Sequence, residues 1–226
     1  MQSDQAVIKD NGRVVTGEVA LSYPYLFDPD QDDNGKDKWS GCFVLPEGAD
    51  LKPYKKAAFA VVMSKFGEEK AKAMVKSGEY RLIGGPHHSI RTDVEGRYEG
   101  AVGFINATRR NGPPAVMTVF PDPDNENKPA KLTDRSRVYP GVIVRAALSP
   151  YWYDTGTSKG VAWGLEGVQI IKDGERLDGR VAAADEFEAN MDAVASLDDL
   201  TDESGEGEPA AVPDAEGADL DLAELL

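Results

Sequence analysis

Cysteine and histidine are nearly absent from the chain, which has one cysteine, Cys42, and two histidines, His87 and His88. A single cysteine excludes an internal disulfide and a cysteine-based metal site, and it fits a reducing cytosol. The histidines are neighbours in the stretch GGPHHS, and adjacent side chains rarely chelate one ion. We interpret this stretch as a solvated loop, with a metal or phosphate contact as the alternative, and we expect neither a metal nor a cofactor.

Sequence motifs of the common enzyme classes are also missing. The chain has no GxxxxGK[ST] phosphate loop, no HExxH and no GxSxG, and its many carboxylates form no recognisable pair. The N-terminus MQSDQAVIKD lacks the basic and apolar regions of a signal peptide, and no apolar run approaches the length of a membrane span. These absences argue against an enzyme and predict a cytoplasmic protein without a membrane partner.

Basic residues are missing from one part of the chain. Residues 181–226 contain no Lys or Arg but 15 Asp or Glu, so the rest of the chain is neutral, with 25 basic and 25 acidic residues. This asymmetry predicts a folded body joined to a solvated interaction tail, and it removes the objection that an acidic protein should not bind nucleic acid. Beyond residue 190 the sequence is acidic, rich in Gly and Ala and free of aromatics, so it cannot bury enough apolar surface to fold alone.

The body shows the two-residue period of β-strands in several places. We predict strands over residues 13–27, 38–46, 100–110, 115–120, 138–154 and 160–174. Residues 51–78 instead have apolar side chains at helical spacing, with a break at Gly67. Five or more strands with one helical insertion and no βαβ alternation predict a mainly β fold, either a small barrel or a sandwich. The five-stranded Greek-key barrel of the OB-fold is one such fold, and it commonly binds oligonucleotides.

The stretch VIVRAALSPYWY (142–153) is the most informative of these strands. One side of it is apolar and predicts a core face, with Val142, Val144, Ala146, Leu148 and Trp152. The other side carries Arg145, small residues, Tyr151 and Tyr153. Small side chains leave space for flat bases, tyrosine rings stack on any base, and arginine can neutralise a phosphate. This face indicates single-stranded nucleic-acid binding; the alternative is that the tyrosines only cover an edge of the barrel.

Three segments of the chain resemble a family of phage single-stranded-DNA-binding proteins that was long described as a domain of unknown function. They are the opening strand VVTGEVALSYPYLFDP, the closing hairpin VYPGVIVRAALSPYWYDTGTSKGVAWGLEGVQIIKDGERL and the DEF at 185–187. The hairpin is also similar, more distantly, to replicative single-stranded-DNA-binding proteins of short-tailed phages. Those proteins show Pro-Tyr-x-Trp where this chain has residues 150–153, and Leu-Glu-x-Val where it has residues 165–168. Their acidic tail closes with an aromatic, whereas this chain ends in two leucines.

The resemblance implies an OB-fold without a cofactor, and a role in phage DNA replication or recombination in the cytoplasm of the infected bacterium. It also implies that Tyr151, and with it Tyr153, stacks on bases. We therefore predict a flexible N-terminal arm over residues 1–12, an OB-fold single-stranded-DNA-binding domain over 13–188 and a disordered acidic tail over 189–226. The domain would bind and protect single-stranded DNA without reading its sequence, and could self-associate on it.

The predicted tail has an apolar end. Four leucines return there after a long stretch that is mostly Glu, Asp, Gly, Ala and Pro; they are Leu220, Leu222, Leu225 and Leu226. An acidic, apolar peptide of this kind fits a basic groove with an apolar pocket. We predict that the tail recruits replication proteins such as a polymerase, helicase or primase, with an inert solubilising tail as the alternative.

The predicted site residues fall into two groups. Base stacking is expected from Tyr151, Tyr153, Tyr25, Trp39 and Phe104. Phosphate contacts are expected from Arg145, Arg109, Arg110 and Arg91, although a surface of mixed charge is the alternative for these cations. The alternative function is an acidic interaction protein that binds no DNA, such as a DNA mimic or an inhibitor of a host DNA-binding enzyme. It would need clustered carboxylates on the body, which is neutral.

Overall fold

The computed structural model describes residues 5–80, 82–84 and 88–178. Its strands are β1 (Val7–Ile8), β2 (Val14–Val15), β3 (Val19–Gln31), β4 (Asp37–Pro46), β5 (Ile83–Gly84), β6 (Ile90–Arg91), β7 (Ala101–Arg109), β8 (Ala115–Asp122), β9 (Asn125–Lys131), β10 (Ile143–Asp154) and β11 (Lys159–Lys172). The helices are α1 (Lys52–Phe66), α2 (Glu68–Ser77) and a 3₁₀ turn at Arg135–Arg137. The prediction of a mainly β fold with a helical insertion is confirmed.

Five long strands close into a barrel. β3 pairs antiparallel with β4, and β4 with β7. β7 pairs parallel with β11, which pairs antiparallel with β10, and β10 returns to β3. This closed path decides between the two predicted architectures in favour of the barrel, and it confirms the OB-fold.

Alternating side chains of the barrel strands fill one core. Leu21, Phe43, Ile105, Leu148 and Trp163 are among its fully buried members, one from each barrel strand. The predicted alternation of the last long strands is confirmed, because the residues 142, 144, 146 and 148 are all buried while the residues between them are partly exposed. The outer face of each barrel strand is therefore set by the same period of two.

The two helices lie between β4 and β7 in the chain and cover the core. Tyr54 of α1 is 1% exposed, and its ring meets the edge of Trp163 with the ring centres 6.1 Å apart. Gly67, with a φ of 80°, ends α1 and begins α2. Glycine adopts this left-handed backbone without strain, which explains the predicted break at that residue. Within the described residues, no helix is long and apolar enough to cross a membrane.

A second, open sheet branches from the barrel at β10 and β11. Its order is β1-β2-β10-β11-β8-β9, and β8 is parallel to β11 while the other neighbours are antiparallel. Residues 7–8 belong to the predicted N-terminal arm, but they form β1 and pair with β2 at the edge of this sheet. β9 runs through the polar stretch 125–131, where no strand was predicted. Nearly all its side chains are exposed, so no apolar alternation marked it as a strand.

The predicted tail, 189–226, lies outside the described residues. So do its four leucines Leu220, Leu222, Leu225 and Leu226, and the domain boundary at residue 188.

Candidate nucleic-acid interface

A row of small residues crosses the outer face of the barrel. Ser149 of β10 lies opposite Gly164 of β11, Gly164 opposite Thr108 of β7, and Thr108 opposite Ser40 of β4. Each alternates with buried core residues and is itself half-buried. Because neighbouring strands are about 4.8 Å apart, the row is about 14 Å long. We call these four residues the trough, since each has a small side chain or none.

Exposed tyrosines flank the trough at both ends. Tyr25 of β3 lies opposite Ser40, and Tyr151 follows Ser149 by two residues on the same face of β10. Their exposed fractions, 40% for Tyr25 and 44% for Tyr151, leave part of each residue open to solvent. Two aromatic rings at either end of a flat floor of small side chains suit the binding of flat, unpaired bases.

Tyr153 is the next outward residue of β10 and is half-buried. Its hydroxyl oxygen lies 3.2 Å from that of Ser158. A Cβ atom at Gly160 would come within 3.3 Å of the Tyr153 ring. The ring therefore lies over this glycine, and it is held more firmly than the ring of Tyr151.

A shallow cavity of about 270 Å³ lies beside the trough. Its lining includes Thr108 of the trough and also Asn106, Ala162, Tyr153, Arg91 and His88. The cavity therefore brings together Tyr153, a predicted stacking residue, and Arg91, a predicted phosphate ligand. Within the part of the chain that the structure describes, no group of three or more His, Cys, Asp or Glu is placed to hold a metal ion.

Two of the predicted phosphate ligands pair with carboxylates near the trough. Arg91 donates from Nε to Asp93 at 2.9 Å and lowers the pKa of that carboxyl. Arg110 follows Thr108 by two residues and pairs with Asp32 in the loop between β3 and β4. The hydrogen bond from Arg110 lowers the pKa of Asp32 to about 2. A phosphate would therefore exchange with a carboxylate that is ionised at any pH near neutrality.

The other two predicted phosphate ligands lie differently. The Nη1 atom of Arg109 is 3.3 Å from an oxygen of Glu166, which also pairs with Arg13 at 3.3 Å. Arg145 donates from Nε to the carbonyl of Thr16 at 3.0 Å, and it lies four residues along β10 from Ser149. At about 3.3 Å per residue this distance is roughly 13 Å, so Arg145 is outside the trough.

One of the predicted stacking residues is buried and another is partly covered. Phe104 is on the outward side of β7 but only 1% exposed. The edge of Tyr98 packs against its ring, and the guanidinium of Arg91 lies 4.8 Å from the ring centre. Trp39 is half-buried, lies opposite Arg109, and donates from its indole nitrogen to the carbonyl of Phe27 at 3.3 Å. The assignment of Phe104 to stacking is corrected, because the loop before β7 covers its ring.

The trough itself was missed from the sequence. Ser40, Thr108 and Gly164 belong to strands that are far apart in the chain, and only the pairing of β4, β7 and β11 brings them into one row. A weak signal existed, since each of the three strands carries small residues at outward positions. It could not be recognised without the order of the strands.

Comparisons with known proteins found similarity to a family of phage proteins. A family model described as the ssDNA-binding protein of Enterobacter phage Enc34 matches residues 12–199. Protein p50 of Acyrthosiphon pisum secondary endosymbiont phage 1 is 28% identical over 183 residues, which cover 78% of this chain and 92% of that protein.

Two solved structures share the fold. The single-stranded DNA-binding protein from bacteriophage Enc34 is 20% identical with a TM-score of 0.50, over 83% of this chain and 97% of that one. The same phage protein in complex with ssDNA is 19% identical with a TM-score of 0.52, over 78% and 95% of the two chains.

Proposed function

The chain belongs to the family of the Enterobacter phage Enc34 ssDNA-binding protein, and we propose that it binds single-stranded DNA across the trough without reading base sequence. The observation that carries this proposal is the row of small residues between Tyr25 and Tyr151. Unpaired bases would lie on this floor and stack on the rings at its ends. Every base has a π-face, so stacking is tolerant of sequence, whereas a duplex keeps its bases stacked on each other.

Cations around the trough would hold the phosphates. Arg91 lines the adjoining cavity, and Arg110 follows Thr108 by two residues. Each has a carboxylate partner, so a phosphate replaces one anion with another and little desolvation is added. Because phosphates are the same at every base, this exchange supports affinity that is independent of base sequence. Such affinity depends strongly on salt.

The first test compares ligands and salt concentrations. We expect the full chain to bind oligo-dT and mixed-sequence single strands with similar affinity, and to bind a duplex of the same length far more weakly. In a plot of log affinity against log salt concentration, each contacted phosphate should add about −0.7 to the slope. Fluorescence anisotropy with labelled oligonucleotides measures both. A flat plot, or equal affinity for duplex, would contradict the proposal.

Removing the carboxylate beside Arg110 should strengthen binding. In the loop, Asp32 Oδ1 accepts hydrogen bonds from the backbone N–H groups of Asn34 and Lys36. The amide oxygen of an Asp32→Asn variant can still accept both of these bonds. Arg110 would then be available to phosphate. We expect a severalfold higher affinity for oligo-dT at low salt, and a salt plot that is steeper by up to about 0.7.

The matched control for Asp32→Asn is the double variant Asp32→Asn/Arg110→Ala. If the gain acts through Arg110, the double variant must lose it, and the two substitutions will not be additive. A gain that persists without Arg110 would mean that Asp32 repels DNA through its charge alone.

The family and the acidic tail extend the proposal to a cellular role. We propose that the protein protects single strands during phage DNA replication or recombination in the cytoplasm of the infected cell. Residues 189–226 would act as an acidic tail that competes with DNA for the basic groove and recruits replication proteins through its terminal leucines. Composition supports this, because 181–226 holds 15 carboxylates and no basic residue.

Truncation of the chain after Asn190 tests the tail. We expect the truncated protein to fold normally and to bind short single strands more tightly than the full chain at low salt. The difference should shrink at high salt, where both attractions are screened. Binding to a cognate polymerase, helicase or primase in a pull-down should be lost. Weaker DNA binding after truncation would show that the tail contributes to DNA binding or assembly instead.

A further inference from the structure

The hairpin of β8 and β9 carries an exposed apolar side chain. Phe120 is 69% exposed and its neighbour Val119 is 42% exposed. β11 pairs with β8 only through Ala115–Met117, so Phe120 lies on the part of the hairpin beyond that pairing. An aromatic ring in this position gains free energy only when another surface covers it.

An apolar cavity of about 340 Å³ lies elsewhere on the molecule, between α1, β10 and the turn from β1 to β2. Its lining includes Ile8, Lys56, Ala57, Ala60, Val61 and Pro150. An apolar cavity of about 150 Å³ is large enough to hold a benzene ring. This cavity can therefore accept a phenylalanine side chain.

The turn of the hairpin is acidic, and the part of α1 beside the cavity is basic. The end of the hairpin carries the carboxylates of Asp122, Asp124 and Glu126. Lys56 lines the cavity, and Lys55 is exposed beside it on α1. An insertion of Phe120 into such a cavity would bring carboxylates towards lysines, which favours the encounter and fixes its orientation.

These two surfaces are at opposite ends of the open sheet. The hairpin forms one end and β1 with β2 forms the other, with β10 and β11 between them. Five strand spacings of about 4.8 Å separate the outermost strands by roughly 24 Å. A contact between unlike surfaces on two copies is head-to-tail, so each added copy leaves one surface free for the next copy along a strand.

We propose that Phe120 of one copy inserts into the α1–β10 cavity of the next copy on the same DNA strand. The proposal rests on the proposed function, since DNA brings the copies together. Ser149 belongs to the trough and also lines this cavity, so the neighbouring copy would sit beside the DNA path. Direct pairing of β9 with another strand is disfavoured, because Pro129 and two lysines lie on that edge.

The contact is too small to hold two free copies together at ordinary concentrations. On a shared strand the effective concentration of the neighbour is on the order of millimolar, and a weak contact then matters. The protein should therefore bind long single strands cooperatively and short ones without cooperativity.

Phe120→Ala tests the proposal, with Val119→Ala as the matched control on the other face of the hairpin. Both variants should bind an oligo-dT of about 8 nucleotides, room for one copy, like the unmodified protein. On a strand several times longer, Phe120→Ala should lose the sigmoidal isotherm and about tenfold in apparent affinity. Val119→Ala should keep both. Equal behaviour of all three proteins on the long strand would overturn the proposal.

Cysteine cross-linking tests which surfaces meet. The native thiol of Cys42 is buried, so only the added cysteines should form disulfides. A mixture of Phe120→Cys and Ala60→Cys proteins on long oligo-dT should form a disulfide-linked pair under mild oxidation, whereas neither protein alone should. Linkage of Phe120→Cys to itself would show a symmetric contact and overturn the inference. Failure to bind even short oligo-dT would instead contradict the proposed function.

Discussion

Replacement of Gly164 by leucine is expected to reduce the affinity for oligo-dT on the order of a hundredfold, because it fills the middle of the trough. Gly164 lies opposite both Ser149 and Thr108, so a branched side chain there would occupy the place of the central bases. Each base that loses its stacking costs about 1–3 kcal/mol, and the loss of two gives an effect of this size.

The barrel should tolerate this substitution. A Cβ atom at Gly164 would meet the Ser149 Cβ at 3.6 Å and the Tyr151 ring at 4.0 Å, which are ordinary van der Waals contacts, and the backbone is not in the left-handed region. Replacement of a strand glycine by leucine also removes conformational freedom from the unfolded chain. The thermal midpoint should therefore stay unchanged or rise slightly.

The matched control is Gly164→Ala, which adds one methyl group and should bind DNA nearly as well as the unmodified protein. Binding is measured by anisotropy on a short oligo-dT, and folding by thermal denaturation. Normal binding by a stable Gly164→Leu protein would place the DNA path elsewhere on the barrel.

Local patterns predicted the strands and their buried faces well. The period of two in β10 assigned Leu148 to the core and Tyr151 to the surface, because alternation depends only on neighbouring residues of one strand. The break between the helices was also predictable, because only glycine readily adopts the positive φ that Gly67 has there.

Features that depend on long-range contacts were not predictable from the sequence. Phe104 has the outward position expected of a stacking residue, yet Tyr98 covers it. Arg110 and Asp32 are 78 residues apart, and only the fold shows that they pair. Periodicity assigns a residue to a side of its strand, but it cannot show which loop covers that side or which charge lies opposite.

Removal of the rings at both ends of the trough is expected to weaken DNA binding additively. Tyr151→Ala should cost about 1–3 kcal/mol of binding free energy, as should Tyr25→Ala, the usual loss for one stacked base. The two residues lie on β10 and β3 at opposite ends of the row, with four small residues between them. They share no contact, so their effects should add in the double variant.

Stability should change little in these variants, because both rings are about two-fifths exposed and neither belongs to the core. Tyr151→Phe and Tyr25→Phe are the matched controls, since phenylalanine keeps the ring and should retain most of the affinity. The difference between alanine and phenylalanine variants then measures stacking apart from the tyrosine hydroxyl. A Tyr151→Ala protein that binds oligo-dT normally but unfolds at a lower temperature would show that the ring supports the barrel and has no part in binding. If only one of the two alanine variants loses affinity, the bound strand covers half of the trough, and the double variant should bind as tightly as that single variant.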